Sequence, residues 1–180
     1  PDATLQAIAV ALEFIAKADA LGAEIDTLNI GGGFPVQYRD DDPVPSIESF
    51  AAPIVARLAD TGIKNFHLEP GRCLVADSAA LVTAVQYEKT DGAHRLVIVD
   101  AGMQTLLRPA LYDAYHRVLP VGQAFRLSLA DIAGPICESA DFLARGQSLP
   151  PLAGGDLLAV LDVGAYGFSM ASNYNAHPLP

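Results

Sequence analysis

Apolar residues recur at helical spacing in two stretches of the first third of the chain. They predict an amphipathic helix over residues 4–21 and a second helix that begins after Ser46. Their buried faces would be formed by Leu5, Ile8, Leu12, Ile15, Ile47, Phe50, Ile54 and Leu58. A short apolar run follows each helix, at residues 25–30 and 63–68, and predicts a strand. This alternation is typical of a βα-barrel or of a doubly wound sheet.

After residue 80 the pattern changes to short apolar segments separated by turns that contain glycine and proline. Strands are predicted at residues 81–88, 95–100, 114–121, 125–132 and 157–162. A polar turn at residues 89–92 would join the first two, and a short helix-like segment runs to Asn175. We therefore predict an α/β part over residues 1–80 and an antiparallel β domain over residues 81–180.

Composition excludes several classes of protein. The net charge of −10 argues against nucleic acid as a partner. No apolar run reaches the roughly 18 residues that a membrane span requires, and the N-terminus predicts no signal peptide. The two cysteines, Cys73 and Cys137, lack the spacing of metal ligands, so we predict no metal site. So few cysteines fit a reducing compartment, and this indicates the cytoplasm.

Two groups of residues that could bind a ligand or take part in a reaction follow the first two predicted strands. Three consecutive glycines, residues 31–33, allow backbone N–H groups to converge on an anion without interference from Cβ atoms. After the second strand, residues 69–72 combine an acid, a rigid turn and an arginine that can grip a carboxylate or a phosphate. Taken alone, the glycines would more often form a flexible loop. Taken alone, residues 69–72 would equally often form a βα turn with a surface ion pair.

The second half of the chain contains four short segments with polar residues between apolar stretches, at residues 100–103, 108–112, 134–139 and 164–167. Each has an ordinary structural explanation by itself. Arg108 could pair with a surface acid, and Cys137 could be a buried thiol. Glu138 could lie in an exposed turn, and Tyr166 could belong to the core.

Taken together, these motifs resemble one family. The motifs are Gly31-Gly32-Gly33-Phe34-Pro35, Glu69-Pro70-Gly71-Arg72, Asp100-Ala101-Gly102-Met103, Arg108-Pro109-Ala110-Leu111-Tyr112, Cys137-Glu138-Ser139 and Gly164-Ala165-Tyr166-Gly167. Their order and spacing are similar to those of diaminopimelate decarboxylases, which are pyridoxal-phosphate enzymes of the alanine-racemase-like fold. The resemblance covers nearly the whole chain. It implies that residues 1–80 are the last βα units of a TIM-type barrel and that residues 81–180 are an incomplete β domain.

The resemblance implies a pyridoxal 5'-phosphate site. The glycines would bind the cofactor phosphate, and Glu69 would keep the pyridine nitrogen protonated, so that the ring can accept electrons when carbon dioxide leaves. Arg72 would lie between the cofactor phosphate and the substrate, and Tyr166 would contact both. The implied cofactor-binding residues are Gly31, Gly32, Gly33, Glu69, Pro70, Gly71, Arg72 and Tyr166.

The resemblance also implies how the substrate is bound. Arg108 and Tyr112 would hold a substrate carboxylate, while Glu138 would receive the distal ammonium group. Cys137 would return a proton after decarboxylation. In this family Cys137 and Glu138 reach into the active site of the partner subunit, so a homodimer with shared active sites is implied. The implied substrate-binding residues are Arg72, Arg108, Tyr112, Glu138 and Tyr166.

The sequence also departs from the family pattern. The family attaches its cofactor to a lysine early in the barrel, and none of Lys17, Lys64 and Lys89 has that context. His67 does not match the histidine that stacks on the cofactor ring, and the arginine common after the Tyr174–Asn175 pair is absent. The resemblance therefore implies the later part of a longer enzyme, inactive by itself.

Three functions remain open at this point. The first is decarboxylation of meso-diaminopimelate to L-lysine and carbon dioxide. The second is a sister decarboxylase of ornithine, arginine or another basic amino acid, in which Arg108 would have less to bind. The third is a catalytically inactive regulatory homologue, which the missing lysine favours. Against the third, an inactive scaffold has no chemical need for Cys137, Glu138, Arg108 and Tyr166 together.

Overall fold

The computed structural model describes residues 2–122 and 126–180, and the chain divides into two compact units. Unit 1 contains Pro1–Gln37 and Asp41–Leu74, and unit 2 contains Tyr38–Asp40 and Val75–Pro180. The sequence pattern predicts a change near residue 80, whereas this division falls between residues 74 and 75. The assignment of Tyr38–Asp40 to unit 2 has no counterpart in the sequence pattern.

Unit 1 consists of two helices and two parallel strands, with a third, short helix at its C-terminal end. Its elements are α1 (Asp2–Asp19), β1 (Thr27–Asn29), α2 (Ile47–Leu58), β2 (Asn65–His67) and the start of α3 (Arg72–Val75). The Ser46 hydroxyl accepts a hydrogen bond from the Ser49 amide at 3.2 Å, which confirms the predicted cap of α2. Ile8, Phe50, Ile54 and Leu58 form the buried core. Both predicted helices and both predicted strands are thus confirmed, although the strands are shorter than predicted.

Unit 2 is built around a six-stranded sheet with the order β5-β8-β3-β4-β6-β7. Its strands are β3 (Leu81–Asp91), β4 (His94–Val99), β5 (Val118–Pro120), β6 (Ser128–Ala133), β7 (Phe142–Leu149) and β8 (Leu157–Val160). The edge strands β5 and β7 also contact each other, so the sheet curls almost into a barrel. Strands β4 and β6 pair in parallel, with Val97 opposite Ile132. The prediction of an antiparallel domain is therefore wrong at this pair, and the sheet is mixed.

Strand β3 is the central element of unit 2, because its two halves pair with different partners. Residues 81–84 pair with β8, and residues 85–91 pair with β4. At the change of partner, the Asp100 carboxylate accepts hydrogen bonds from the Thr83 hydroxyl at 2.6 Å and from the Ala84 amide at 2.9 Å. Asp100 therefore satisfies a backbone donor that neither neighbouring strand can reach.

Several segments differ from their prediction. The strand β7 was not predicted, because Gly146 and the polar residues beside it break the period-2 pattern. The helix α4 (Arg108–Tyr112) was also not predicted. The strand predicted at 114–121 is shorter in the structure, where only β5 (Val118–Pro120) forms. The helix-like segment predicted up to residue 175 consists of short 3₁₀ turns. The start of the strand predicted at 125–132 lies outside the described residues.

The core of unit 2 lies on one face of the sheet and is contributed by nearly every strand. Its fully buried members include Val85, Val97, Ile132, Leu149 and Leu158. Burial of such a side chain contributes about 1.5–3 kcal/mol. Among the described helices, none has the length and apolar character needed to cross a membrane.

Candidate functional site

The glycine loop and Glu69 lie at the same edge of unit 1, because parallel strands end on the same side. Backbone pairing continues past β1 and β2: the Ile30 amide donates to the His67 carbonyl at 3.1 Å, and the Glu69 amide donates to the Gly31 carbonyl at 2.9 Å. This is the edge at which α/β folds usually carry their ligands. The structure therefore brings together the two groups of unit 1 that the sequence singled out.

Asn29, the last residue of β1, joins these two groups through its side chain. Its Nδ2 donates to Glu69 Oε1 at 2.7 Å, and its Oδ1 accepts a hydrogen bond from the Gly31 amide at 2.8 Å. The two bonds agree on the orientation of the amide group, since one needs a donor and the other an acceptor. Asn29 therefore fixes the direction of the Glu69 carboxylate. No sequence motif indicates this residue.

The middle glycine is required by close contact between the two strand ends. A Cβ atom on Gly32 would lie 2.6 Å from the Glu69 carbonyl oxygen, so no other residue fits there without a shift of the backbone. Gly31 and Gly33 have φ values of +73° and +83°, which side chains disfavour. Within the described residues, the amides of Gly32 and Gly33 have no hydrogen-bond partner, so they are available to an anion.

The turn that follows Glu69 places Arg72 at the first position of α3. Pro70 restricts the backbone before the helix, and the Gly71 carbonyl accepts a hydrogen bond from the Leu74 amide at 3.0 Å. Arg72 is exposed to solvent in this structure. Cys73 beside it is a half-buried free thiol.

In unit 2, Arg108 and Tyr112 lie one turn apart on α4, but their environments are opposite. Arg108 is only 6% exposed, whereas Tyr112 is 63% exposed. Pro109 occupies the start of the helix, where the lack of an amide hydrogen costs nothing. Asp113, in the left-handed conformation, ends the helix. The surface ion pair that could explain Arg108 is excluded by its burial.

The guanidinium of Arg108 is held by two side chains. Its Nη1 lies 3.1 Å from the Tyr38 hydroxyl and 3.1 Å from His116 Nε2. Tyr38 and His116 also meet edge to face, with ring centroids 5.5 Å apart. Burial is the main cause that lowers the pKa of His116, and the nearby Arg108 charge lowers it further. His116 was not singled out by the sequence analysis.

Cys137 and Glu138 are both exposed, in the turn between β6 and β7. Glu138 Oε1 accepts a hydrogen bond from the Ser139 amide at 2.9 Å, and its Oε2 lies 3.5 Å from the Tyr174 hydroxyl. The thiol of Cys137 is free. The buried-thiol explanation of Cys137 is therefore excluded, and both side chains can reach a ligand.

The buried side chain of Asp141, which is only 2% exposed, holds this turn in place. Its carboxylate accepts hydrogen bonds from the Met103 amide at 2.6 Å and the Ile136 amide at 2.7 Å. Burial raises the pKa of Asp141, although these two amide donors oppose the shift. A Cβ atom on Gly102 or Gly134 would clash with this carboxylate, which explains both glycines.

Tyr166 is half exposed and has a left-handed backbone, with φ of +63°. The neighbouring glycines are tightly packed: a Cβ on Gly164 would overlap the Val75 carbonyl, and one on Gly167 would overlap the Val163 carbonyl. A left-handed non-glycine residue is uncommon and is often found at binding sites. The interpretation of Tyr166 as a core residue is excluded.

The three lysines do not occupy the candidate site of unit 1 or the interior of unit 2. Lys17 lies in the last turn of α1, and Lys89 is an exposed residue of β3 rather than part of a turn. Lys64 precedes β2, at the opposite end of that strand from Glu69. Within the described part of the chain, no cluster of His, Cys, Asp and Glu is arranged to hold a metal ion.

The residues that the sequence analysis missed have one feature in common. Asn29, Tyr38, His116 and Asp141 act on other protein groups and carry no motif of their own. For His116 and Asp141 the local sequence gives no signal of burial, because charged residues such as Arg117 and Glu138 lie close by. Their burial and their partners become visible only in the fold.

Comparison with known sequences places this chain in a family. The profile of "Pyridoxal-dependent decarboxylase, C-terminal sheet domain" matches residues 18–164. Diaminopimelate decarboxylase of Aquifex aeolicus is 42% identical over 158 residues, which cover 87% of this chain and 37% of that protein. The enzyme of the same name from Neisseria meningitidis is 45% identical over 162 residues, covering 88% and 39%. The chain thus spans about two fifths of the length of these relatives.

Solved structures agree with this assignment. Diaminopimelate decarboxylase from Helicobacter pylori complexed with L-lysine has a TM-score of 0.87 at 38% identity, covering 98% of this chain and 43% of that one. Lysine/ornithine decarboxylase from Vibrio vulnificus complexed with cadaverine has a TM-score of 0.84 at 29% identity, covering 97% and 48%. The chain therefore belongs to the family of pyridoxal-dependent decarboxylases and contains the C-terminal sheet domain of that family.

Proposed function

We propose that this chain is the later part of an enzyme that removes one carboxylate from meso-diaminopimelate and yields L-lysine and carbon dioxide. The observation that carries the proposal is the edge of β1 and β2, where two glycine amides that have no partner in the described part of the chain lie beside the oriented Glu69 carboxylate. A ligand that combines a phosphate with a protonated ring nitrogen suits this pair of groups. The similarity to diaminopimelate decarboxylases supports the choice of substrate.

The residues of unit 1 fit pyridoxal 5'-phosphate. Backbone amides are suitable donors for a phosphate, and the lack of a Cβ atom at Gly32 lets the glycine loop pack directly against the backbone of Glu69. Gly31, Gly32 and Gly33 would hold the phosphate, although the Gly31 amide is already bonded to Asn29. Glu69 would hold a proton on the ring nitrogen, with Pro70 and Gly71 shaping the turn behind it. The bound cofactor supplies an electron-accepting ring that stabilises the charge left by departing carbon dioxide.

The residues of unit 2 would bind and protonate the substrate. Arg108 and Tyr112 would hold the carboxylate that is retained, and Glu138 would pair with the ammonium group beside it. Cys137 would donate a proton to the carbon atom that has lost carbon dioxide. Arg72 and Tyr166 would contact both the cofactor and the substrate.

We further propose that the enzyme works as a homodimer in which Cys137 and Glu138 complete the site of the partner subunit. Both side chains are exposed on a turn, where a second subunit can reach them, and this supports the proposal, although Glu138 also bonds to the Ser139 amide and the Tyr174 hydroxyl of its own unit. In the same enzyme, unit 1 would form the last βα units of a TIM-type barrel. The lysine that carries the cofactor would be supplied by the part of the enzyme that the relatives have in addition. The location in the cytoplasm remains a prediction from the cysteine content.

A decarboxylase of lysine or ornithine is the second candidate. It is favoured by the similarity to the Vibrio vulnificus enzyme, whose structure contains cadaverine. The burial of Arg108 argues for the first candidate, because a buried guanidinium needs an anionic partner and these substrates have no second carboxylate beyond the one that is removed.

The experiment measures carbon dioxide release from meso-diaminopimelate, L-lysine, L-ornithine and L-arginine by the full-length enzyme and by its Arg108→Met variant. We expect a preference for diaminopimelate of about 10²- to 10³-fold in the wild type, because an unpaired buried charge costs about 3–5 kcal/mol. Arg108→Met should remove most of this preference and leave the cofactor bound. Comparable wild-type rates on ornithine and diaminopimelate would favour the second candidate.

A further inference from the structure

His116 forms a hydrogen-bonded chain between the backbone of unit 2 and the guanidinium of Arg108. Its Nδ1 lies 2.9 Å from the carbonyl oxygen of Leu161, and its Nε2 lies 3.1 Å from Arg108 Nη1. The imidazole is only 1% exposed, so water cannot replace either contact. Both bonds are therefore part of the fixed interior of this unit.

The two contacts determine the protonation state of the ring. A carbonyl oxygen can only accept, so Nδ1 must carry the hydrogen. Arg108 can only donate, so Nε2 must present its lone pair. The neutral Nδ1–H tautomer satisfies both partners, whereas an imidazolium would place a second positive charge 3.1 Å from the guanidinium and remove the acceptor.

The balance of burial and of the groups around the ring favours the same neutral state. Arg108 faces Nε2, Tyr38 packs against the ring edge to face, and Asp162 follows the carbonyl that binds Nδ1. The cleft beside His116 has a volume of about 360 Å³ and also contains Arg39, Asp113 and Arg145. Burial and the Arg108 charge lower the pKa of His116 more than Asp162 and the Leu161 carbonyl raise it.

The bonds made by Arg108 leave one side of its guanidinium available. Both the Tyr38 hydroxyl and His116 bind Nη1. Among residues 2–122 and 126–180, none accepts a hydrogen bond from Nε or Nη2. These two nitrogens form the edge that binds a carboxylate through two parallel hydrogen bonds. Because the guanidinium is planar, fixing Nη1 also fixes the direction of that edge.

We propose that His116 is a positioning residue for substrate binding: as a neutral Nδ1–H imidazole, it orients Arg108 so that its Nε–Nη2 edge binds the carboxylate that the product retains. This inference rests on the proposed function, because it takes the ligand of Arg108 to be a substrate carboxylate. It adds a residue that contacts neither the cofactor nor the substrate.

Two variants of similar size separate the two hydrogen bonds of His116. The side chain of His116→Gln reaches the Nε2 position and keeps an acceptor for Arg108. The side chain of His116→Asn reaches only the Nδ1 position and keeps the bond to Leu161. The variants are made in the full-length enzyme, with His94→Gln as a control, because His94 forms an exposed pair with Asp131 in the same unit. Circular dichroism establishes that each variant is folded.

The readout is the inhibition constant of L-lysine compared with that of cadaverine, together with kcat and KM for meso-diaminopimelate. The two inhibitors differ by one carboxylate, so their ratio isolates the contact made by Arg108. We expect His116→Asn to weaken the binding of L-lysine about 10- to 100-fold, in line with the loss of a hydrogen bond to a charged group. The binding of cadaverine should change little. In the same variant, KM for meso-diaminopimelate should rise, and it should rise by a larger factor than kcat falls. His116→Gln and His94→Gln should stay within about threefold of the wild type.

If His116 only stabilised the fold, both His116 variants would bind L-lysine and cadaverine more weakly by similar factors. That outcome would overturn the inference. Nitrogen-15 NMR of the histidine side chains gives an independent test. We expect the Nδ1–H tautomer in the wild type and a higher pKa of His116 in Arg108→Met. Observation of the Nε2–H tautomer would also overturn the inference, because Nε2 could then not accept from Arg108.

Failure of the inference can be distinguished from failure of the proposed function. If the wild type binds L-lysine no better than cadaverine, Arg108 does not bind a carboxylate and the proposed substrate is wrong. If the wild type discriminates and His116→Asn discriminates equally well, only the role of His116 is wrong.

Discussion

At the scale of single residues, the side chains proposed to do chemistry differ in how firmly they are held. The Glu69 carboxylate is bonded to Asn29, and the Arg108 guanidinium is bonded to Tyr38 and His116. The Cys137 thiol is exposed. These environments match the proposed roles, because a counter-charge and a carboxylate ligand need a fixed direction, whereas a proton donor must reach its target.

The proton-return role of Cys137 gives the first prediction at this scale. We expect Cys137→Ala to lower kcat on meso-diaminopimelate by about 10²- to 10⁴-fold, the usual contribution of a general acid, with cofactor binding unchanged. Cys73→Ala is the matched control, because it removes the other free thiol of the chain. Steady-state kinetics and the absorbance of the bound cofactor provide the measurement. Full activity in Cys137→Ala would show that the thiol has no chemical role.

Glu69 gives the second prediction. Glu69→Gln removes the negative charge that would hold a proton on the ring nitrogen but preserves the size of the side chain. We expect a shifted absorbance spectrum of the bound cofactor and a lower kcat. Asn29→Ala should produce a smaller change in the same direction, since the carboxylate remains but loses the bond that orients it. An unchanged spectrum in Glu69→Gln would contradict the proposed position of Glu69.

At the scale of the elements, one ion pair joins several strands of unit 2. Glu88 on β3 and Arg95 on β4 form two parallel hydrogen bonds, of 2.9 and 2.8 Å, and their side chains are 17% and 11% exposed. Arg95 also donates to the carbonyl groups of Ser128, Leu149 and Pro150. This cluster therefore links β3 and β4 to β6 and to the end of β7.

Removal of one partner should be strongly destabilising. We expect Arg95→Met to lower the free energy of unfolding by about 3–5 kcal/mol, because the Glu88 carboxylate loses its cation and keeps the Leu152 amide as a donor, while the Ser128, Leu149 and Pro150 carbonyl groups lose the Arg95 donor. Arg145→Met is the matched control: its pair with Asp131 is 3.6 Å long and its side chain is 60% exposed, so a loss of about 0–1 kcal/mol is expected. Urea unfolding measures both. Equal losses in the two variants would show that the pair of Glu88 and Arg95 is not a structural link.

At the scale of the whole molecule, stability should fall as the pH falls. Burial and Arg108 lower the pKa of His116, so the unfolded chain binds more protons below about pH 6.5, the ordinary pKa of histidine. Arg95 lowers the pKa of Glu88, so a second loss begins below about pH 4.3, the ordinary pKa of glutamate. The raised pKa of Asp141 acts in the opposite direction, because the folded state then takes up a proton before the unfolded state does.

Urea unfolding between about pH 7 and pH 3 tests this expectation. The free energy of unfolding should decrease from about pH 6.5 downward, and His116→Gln should flatten the first part of the decrease. Glu88→Gln should flatten the part below about pH 4.3. An equally steep decrease between pH 6.5 and pH 5 in the wild type and in His116→Gln would contradict the assignment of a neutral, buried His116.

Much of the fold followed from local patterns. The helices α1 and α2, the strands β1 and β2, and the pairing of β3 with β4 could be predicted because each depends on the period of its apolar residues. The strand β7 and the parallel pairing of β4 with β6 could not be predicted. Gly146 interrupts the pattern of β7, and no local signal specifies which distant strand becomes the neighbour of β4.

In the candidate site, too, some features could be predicted from local sequence and others could not. The sequence by itself determined the family, the proposed reacting residues and the glycines, because a short motif carries its chemistry in residue types and spacing. Only the tertiary structure decided which side chains orient them: Asn29 for Glu69, His116 and Tyr38 for Arg108, and Asp141 for the turn that carries Cys137. These partners are separated along the chain by 40 residues for Asn29 and Glu69 and by 70 for Tyr38 and Arg108. Such contacts arise from the path of the folded backbone, which no local pattern encodes.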